Sequence, residues 1–307
     1  MSEVKIHPVP AEFAAQANVT AAQYDAMYRQ SVDDPEGFWG EQADQYLTFF
    51  KKWDKVLDWS FDEQDLHIEW FKGAKLNVSY NCLDRHLGTR ADQTAILWEG
   101  DDPNESRAVT YGELHADVNR FANALKARGV KKGDRVSIYM PMIPEATVAM
   151  LACTRIGAVH SIVFSAFSPD ALASRIRDSD CQVVITSDVS VRTGKHLPLK
   201  KNADAAIAQC PNVHTCFVAK RGDGSCEWND ERDVWMHEAM ARLYTRIRRE
   251  CGTDNPDFAL SMEEPNELYI PWLNLVQSRP NGLTPEFPMR PPLTRVVPLF
   301  SFLYHDY

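Results

Sequence analysis

Lysine is missing from the last quarter of this 307-residue chain. All 13 lysines lie within residues 1–220, while residues 241–307 carry seven arginines and no lysine. Glycine is also scarce, 14 in all and scattered, with no cluster that would let several backbone N–H groups converge on a phosphate. No uninterrupted apolar run approaches the ~20 residues of a membrane span. Met1 to Pro10 holds Glu3, Lys5 and two prolines where a secretory signal would have an apolar core. Seven cysteines include no Cys-x-x-Cys pair, which argues against a disulfide framework or a zinc site and for buried, reduced thiols. The net charge of −10 disfavours non-specific binding to nucleic acid or an anionic membrane, so an anionic ligand needs a local cationic cluster. The expectation is a cytoplasmic protein.

What is present changes character along the chain. Residues 1–80 are rich in aromatics, among them Phe38, Trp39, Phe49, Trp53, Trp59 and Trp70, without a clean period. They predict short helices and loops packed on a following domain rather than a small domain with its own core. From about Gln93 strands and helices alternate. Thr94–Trp98 reads as a strand, and Thr110 with Glu113 forms a capping box that opens a helix stopped by Gly129. Strands are expected at 135–140, 158–164, 182–186 and 213–218, with helices at 144–156, 168–179 and 199–209 between them. Ser168-Pro169-Asp170 is a strong helix start, joining an N-cap hydroxyl, proline at N1 and an acid in the first turn. Such alternation predicts an α/β fold, a mostly parallel sheet with helices on both faces.

The stretch 241–307 breaks the pattern. Nine of the 18 prolines fall between Pro256 and Pro298, a density that prevents long helices or central strands. It is expected to be a divergent, poorly ordered tail. A shifted reading frame accounts for its composition better than a proline-rich interaction segment does.

Several segments resemble the adenylate-forming ligases, and among them the AMP-forming acetyl-CoA synthetases (acetate–CoA ligases). Asp34-Pro-Glu-Gly-Phe-Trp39, Trp70-Phe-Lys-Gly-Ala-Lys-Leu-Asn77 and Asn81-Cys-Leu-Asp-Arg-His86 are similar to segments of the synthetases' N-terminal region. Val109-Thr-Tyr-Gly-Glu-Leu114 and Gly157-Ala-Val-His-Ser-Ile-Val-Phe164 resemble core motifs of the wider superfamily, and Arg232 to Met240 fits as well. The resemblance implies a synthetase-type N-terminal segment at 1–90 and the start of an AMP-binding domain at 91–240. It implies acetate, ATP and CoA as substrates, with Mg²⁺, and a reaction through acetyl-adenylate.

The resemblance also marks candidate CoA contacts. Arg192 and Lys195 stand where the family often has two arginines three apart, so Arg192 would meet the adenine or the 3′-phosphate. Lys195 keeps the charge of the second but not its bidentate geometry. Phe164-Ser-Ala-Phe167 stands where the family shows glycine between phenylalanines, and Phe164 and Ala166 are the second pair of candidates. The plainer alternatives are a solvated basic loop and core aromatics. Asp84, Arg85 and His86 form a polar group best read as a buried ion pair with a satisfied histidine, and His160 as structural.

The resemblance predicts a glycine-rich phosphate loop after Leu268-Tyr269, but Ile270, Pro271, Trp272 and Leu273 follow. Bulky side chains and a proline do not build a phosphate cradle. The expectation is a chain incomplete as an enzyme, inactive towards ATP by itself, or alternatively a non-catalytic module that binds CoA or a partner. A cut sheet would leave apolar surface that promotes self-association.

Overall fold

The computed structural model describes residues 7–241, which fall into two units meeting in sequence at Leu76 and Asn77. The tail expected from 241 onward therefore lies, Ala241 apart, outside the described residues.

The first unit contains α1 (Ala11–Ala15), α2 (Ala21–Asp33) and α3 (Pro35–Tyr46), then an antiparallel hairpin of β1 (Lys55–Ser60) and β2 (His67–Lys72). Local chemistry sets the helix starts. Thr20 and Gln23 form a reciprocal capping box on α2, and Asp34 caps α3 at Gly37 N–H with Pro35 at N1. The segment forms a compact unit of its own and includes a strand pair, which corrects the expectation of helices and loops alone. The hairpin escaped detection because Trp59, Ile68 and Trp70 are all exposed, so no buried face imposes a period of two on the sequence.

The second unit opens with α4 (Val78–Cys82), a 3₁₀ turn at Asp84–His86 and α5 (Leu87–Arg90). A hairpin of β3 (Thr94–Glu99) and β4 (Ser106–Thr110) leads into α6 (Tyr111–Ala127). The α6 start has the expected capping box, Glu113 N–H donating to Thr110 Oγ1 and Thr110 N–H to Glu113 Oε2. Then follow β5 (Arg135–Ile138), α7 (Pro144–Arg155), β6 (Val159–Ile162), α8 (Pro169–Asp178) and β7 (Val183–Ser187). A short hairpin, β8 (Ser190–Arg192) and β9 (Lys195–Leu197), precedes α9 (Leu199–Ile207), β10 (Thr215–Ala219) and β11 (Asp233–Trp235).

Five strands form one parallel sheet in the order β11-β10-β7-β5-β6. Because side chains alternate across each strand, the sheet serves two cores. Val183, Ile185 and Phe217 join Phe121 and Leu125 of α6 and Ala149 and Ala152 of α7 on one face. Val184, Cys216 and Val218 join Leu172 and Ile176 of α8 and Leu199 and Ala203 of α9 on the other. The fold is α/β with helices on both faces, as expected. The chain runs outward from β5 to β6 through α7, then returns past β5 to β7 and continues to β10 and β11. Connections thus diverge between β5 and β7, a switch point of the kind at whose carboxyl strand ends open α/β sheets bind ligands.

Asp84 is paired, but with other groups than its sequence neighbours. Its carboxylate accepts from Arg155 Nη2 and Nη1, at 2.5 and 3.1 Å, and the buried His115 Nε2 lies at 3.2 Å. His86 instead leans on the Tyr111 ring, with centroids 5.7 Å apart. Four of the described cysteines, 153, 181, 210 and 216, are buried free thiols as expected, and burial pushes Cys153 and Cys216 up to about 12. Cys82 departs from that expectation: it is exposed at the end of α4. His160 lies on β6 with its pKa lowered by burial.

Candidate functional site at the carboxyl edge of the sheet

The two candidate segments leave the same edge of the sheet, each from the end of a strand. The turn 164–167 follows β6, and the β8–β9 hairpin follows β7. One strand, β5, separates β6 from β7 in the sheet, so their ends are roughly 10 Å apart at normal strand spacing.

The aromatic turn is closed by Phe167 N–H donating to Phe164 O at 2.9 Å. Tyr139, fully buried at the end of β5, points its hydroxyl at the carbonyls of Ser165 and Phe167, at 2.9 and 2.8 Å. Phe164 and Ala166 face solvent, and the rings of Phe164 and Phe167 meet edge to face at 5.9 Å. The Arg175 guanidinium lies over Phe167, 4.6 Å from its centroid. These aromatics belong to the surface at the strand ends, and Phe164 is not part of either buried core.

The basic pair sits at the tip of the hairpin. Arg192 and Lys195 face each other as its last register pair, both exposed, with Thr193 and Gly194 forming the two-residue turn. Thr193 has φ 49° and Gly194 φ 71°, the positive values that such a turn requires. Among the described residues neither cation makes an ion pair.

The base of the hairpin is fixed by Asp188, which is buried and receives four backbone N–H groups. Val189, Arg221, Gly222 and Gly224 donate to it at 2.7 to 3.1 Å. Gly222 packs closely here: a Cβ would fall 2.9 Å from Val189 Cγ2 and 3.2 Å from the Asp188 carboxylate, so a larger residue would displace those side chains. Beyond the hairpin, Lys200 is buried against Asp204 and Asp233, and Arg232 completes the network.

A separate cavity of about 550 Å³ lies on the α6–α7 side, lined by Val109, Leu114, Val148, Met236 and Met240 with Arg107, Asp117 and Glu145 among its polar groups. None of Phe164, Ala166, Arg192 or Lys195 lines it. Among the described residues no group of three or more His, Cys, Asp or Glu side chains is placed to hold a metal ion. No described helix is long and apolar enough to cross a membrane.

Sequence reasoning did not single out Tyr139, Asp188 or Asp101, which hold the candidate segments in place. Apart from Val189 beside Asp188, their partners lie 26 to 93 residues away, and no local spacing reports contacts of that range.

Residues 83–265 match the family of AMP-binding enzymes, more than half of the chain, and the chain belongs to that family. Residues 24–82 match the acetyl-coenzyme A synthetase N-terminus. Among curated proteins the chain is 56% identical over 283 residues to acetyl-coenzyme A synthetase of Magnetococcus marinus, and 53% identical to that of Alkalilimnicola ehrlichii. Each match covers 92% of this chain but 42% of the relative, so the chain spans less than half the length of these relatives. Among solved structures, the acetoacetyl-CoA synthetase from Streptomyces lividans superposes with a TM-score of 0.64 at 27% identity, covering 75% of this chain and 34% of that one.

Proposed function

We propose that this chain is the N-terminal part of an acetate–CoA ligase and carries CoA-contacting surface of that enzyme. In the whole enzyme acetate would attack the α-phosphate of ATP, giving acetyl-adenylate and diphosphate. The CoA thiol would then displace AMP to give acetyl-CoA. The observation that carries the reading is the departure of both candidate segments from carboxyl ends of parallel strands, β7 at the switch point and β6 one strand beyond it, on the edge where open α/β sheets bind ligands.

On this reading Arg192 meets the 3′-phosphate or stacks on the adenine of CoA, and Lys195 adds a second positive charge. Phe164 offers an aromatic face nearby, and Ala166 is the second candidate of this turn, with a Cβ where the family shows glycine. ATP would supply the adenylyl group, with Mg²⁺ offsetting the charge of its phosphates. The described residues offer neither a glycine-rich cradle nor a metal cluster for them. With Ile270, Pro271, Trp272 and Leu273 in the place of that cradle, the chain by itself binds CoA without turning over ATP. A purely non-catalytic CoA- or partner-binding module shares this expectation and rests on Arg192 and Lys195 with the aromatic C-terminus, which lies outside the described residues. A cytoplasmic location belongs to the same proposal.

A chimera separates the two. Residues 24–241 would replace the matching stretch of the Magnetococcus marinus synthetase. An acetate–CoA ligase part yields acetate-dependent acetyl-CoA formation, and Arg192→Ala raises KM for CoA about tenfold with KM for acetate unchanged. A chimera that folds but forms no acetyl-CoA rejects the ligase reading, and a KM for CoA indifferent to Arg192 rejects the site.

A further inference from the structure

The turn that carries Arg192 and Lys195 has an unfavourable residue at its first central position. Two-residue turns with both φ values positive favour Asn, Asp or Gly there, and a β-branched residue pays for it in steric strain. Thr193 nevertheless stands at φ 49°. Residues held in such conformations persist only where surrounding structure over-determines them.

The support comes from outside the hairpin. Asp101, in the β3–β4 turn, receives the N–H of Thr193 at 2.8 Å on Oδ1 and the N–H of Gly194 at 2.5 Å on Oδ2. Both donors of the turn are thereby matched to both oxygens of one carboxylate. The β3–β4 turn is itself anchored to the sheet edge. Glu105 takes the Arg221 guanidinium through two hydrogen bonds of 2.7 and 2.5 Å, and that guanidinium lies 5.2 Å from the centre of the Trp98 ring. Arg221 N–H in turn donates to Asp188 at the base of the hairpin. The tip and base of the hairpin are thus tied to one framework, the tip through a single side chain.

We propose that Asp101 is the positioning residue of this site: its carboxylate holds the Thr193–Gly194 turn so that Arg192 and Lys195 project as a preformed pair for a phosphate-bearing ligand. Asp101 touches no ligand. It satisfies the turn's backbone donors, leaving the anion to the two side chains, and removes the entropy cost of ordering them on binding. The phosphate half of this inference rests on the proposed CoA reading; the strap half does not.

The test uses the full chain and its Asp101→Ala variant, with adenosine 3′,5′-bisphosphate as the probe. Hydrogen exchange at the Thr193 and Gly194 amides is expected to accelerate about tenfold or more in Asp101→Ala, as loss of charge-assisted hydrogen bonds implies. Amides of β5, β7 and β10 are expected to keep their rates. Probe affinity falls by about fivefold to tenfold, and Thr193→Asn in the same background restores most of it by suiting the residue to the turn. Unchanged exchange at Thr193 and Gly194 overturns the strap. Faster exchange with unchanged probe affinity overturns the positioning role. Should the wild-type chain bind no probe while exchange responds as expected, the CoA reading of the hairpin fails and the strap stands.

Discussion

The ammonium of Lys200 lies 2.7 Å from the carboxylate of Asp233, with both side chains sealed from solvent. Asp204 and Arg232 complete the group, two cations against two anions, with Lys200 also donating to the Glu227 carbonyl at 3.2 Å. The network ties the start of α9 to β11 at the edge of the sheet. A buried pair of this kind contributes little net energy against an apolar replacement, but breaking it is costly because one charge remains buried.

Lys200→Met is therefore expected to destabilise the chain by roughly 2–4 kcal/mol in urea unfolding. Lys200→Met combined with Asp233→Leu is expected to cost clearly less than the sum of the two single changes. Strict additivity would show that the two groups are not coupled.

Asp84 makes a pH signature. Burial by itself raises its carboxyl, but hydrogen bonds from His115 and Arg155, with their charges, outweigh that and hold it at about 2 against an ordinary 3.8. A folded value below the unfolded one means that the stabilisation is complete above the ordinary value and lost as pH falls through about 2. The stability gap between wild type and Asp84→Asn, followed by urea unfolding, is thus expected to be flat near neutrality and to narrow below about pH 4. A gap that does not change with pH contradicts this assignment.

Tyr139→Phe removes the hydroxyl from between two carbonyls while keeping the ring in the core. The expected cost is about 1 kcal/mol. The accompanying change is faster hydrogen exchange at Phe167 N–H, which closes the turn of 164–167. A variant with native stability and unchanged exchange would show that the hydroxyl does not hold this turn.

The edge strand β6 exposes Val159 by 53% and Ile162 by 58%, and among the described residues pairs on one side only, with β5. Unpaired apolar edges template association. The purified chain is expected to elute from size exclusion as concentration-dependent assemblies, and Ile162→Lys to shift it towards monomer. A wild-type monomer at all concentrations would remove β6 as an association surface.

The parallel sheet was legible because its punctuation is chemical. Thr110 with Glu113, Pro144 and Ser168-Pro169 open helices where the structure has them, and Gly129 and Gly157, at φ 85° and 71°, follow their ends. Strand ends were less legible: the stretch read as a strand over 158–164 is one over Val159–Ile162, because the chain turns away under the Tyr139 hydroxyl. The basic loop expected around Arg192 and Lys195 contains the β8–β9 hairpin, three residues a side, too short for a period to register. Arg192 and Lys195 were marked by the resemblance. Their support by Asp101 was not, since 92 residues separate Asp101 from Thr193 and only the folded chain brings them together. Asp84 shows the same limit, with neighbours Arg85 and His86 in sequence but Arg155 and His115 in space.

The most direct test of the account is calorimetric titration of CoA into the full chain, beside Arg192→Ala. Saturable binding is expected, weakening with added salt as phosphate recognition by side-chain charge requires, and falling about tenfold in Arg192→Ala. No saturable binding at millimolar CoA, or binding indifferent to Arg192, would contradict a CoA surface at the carboxyl edge of this sheet.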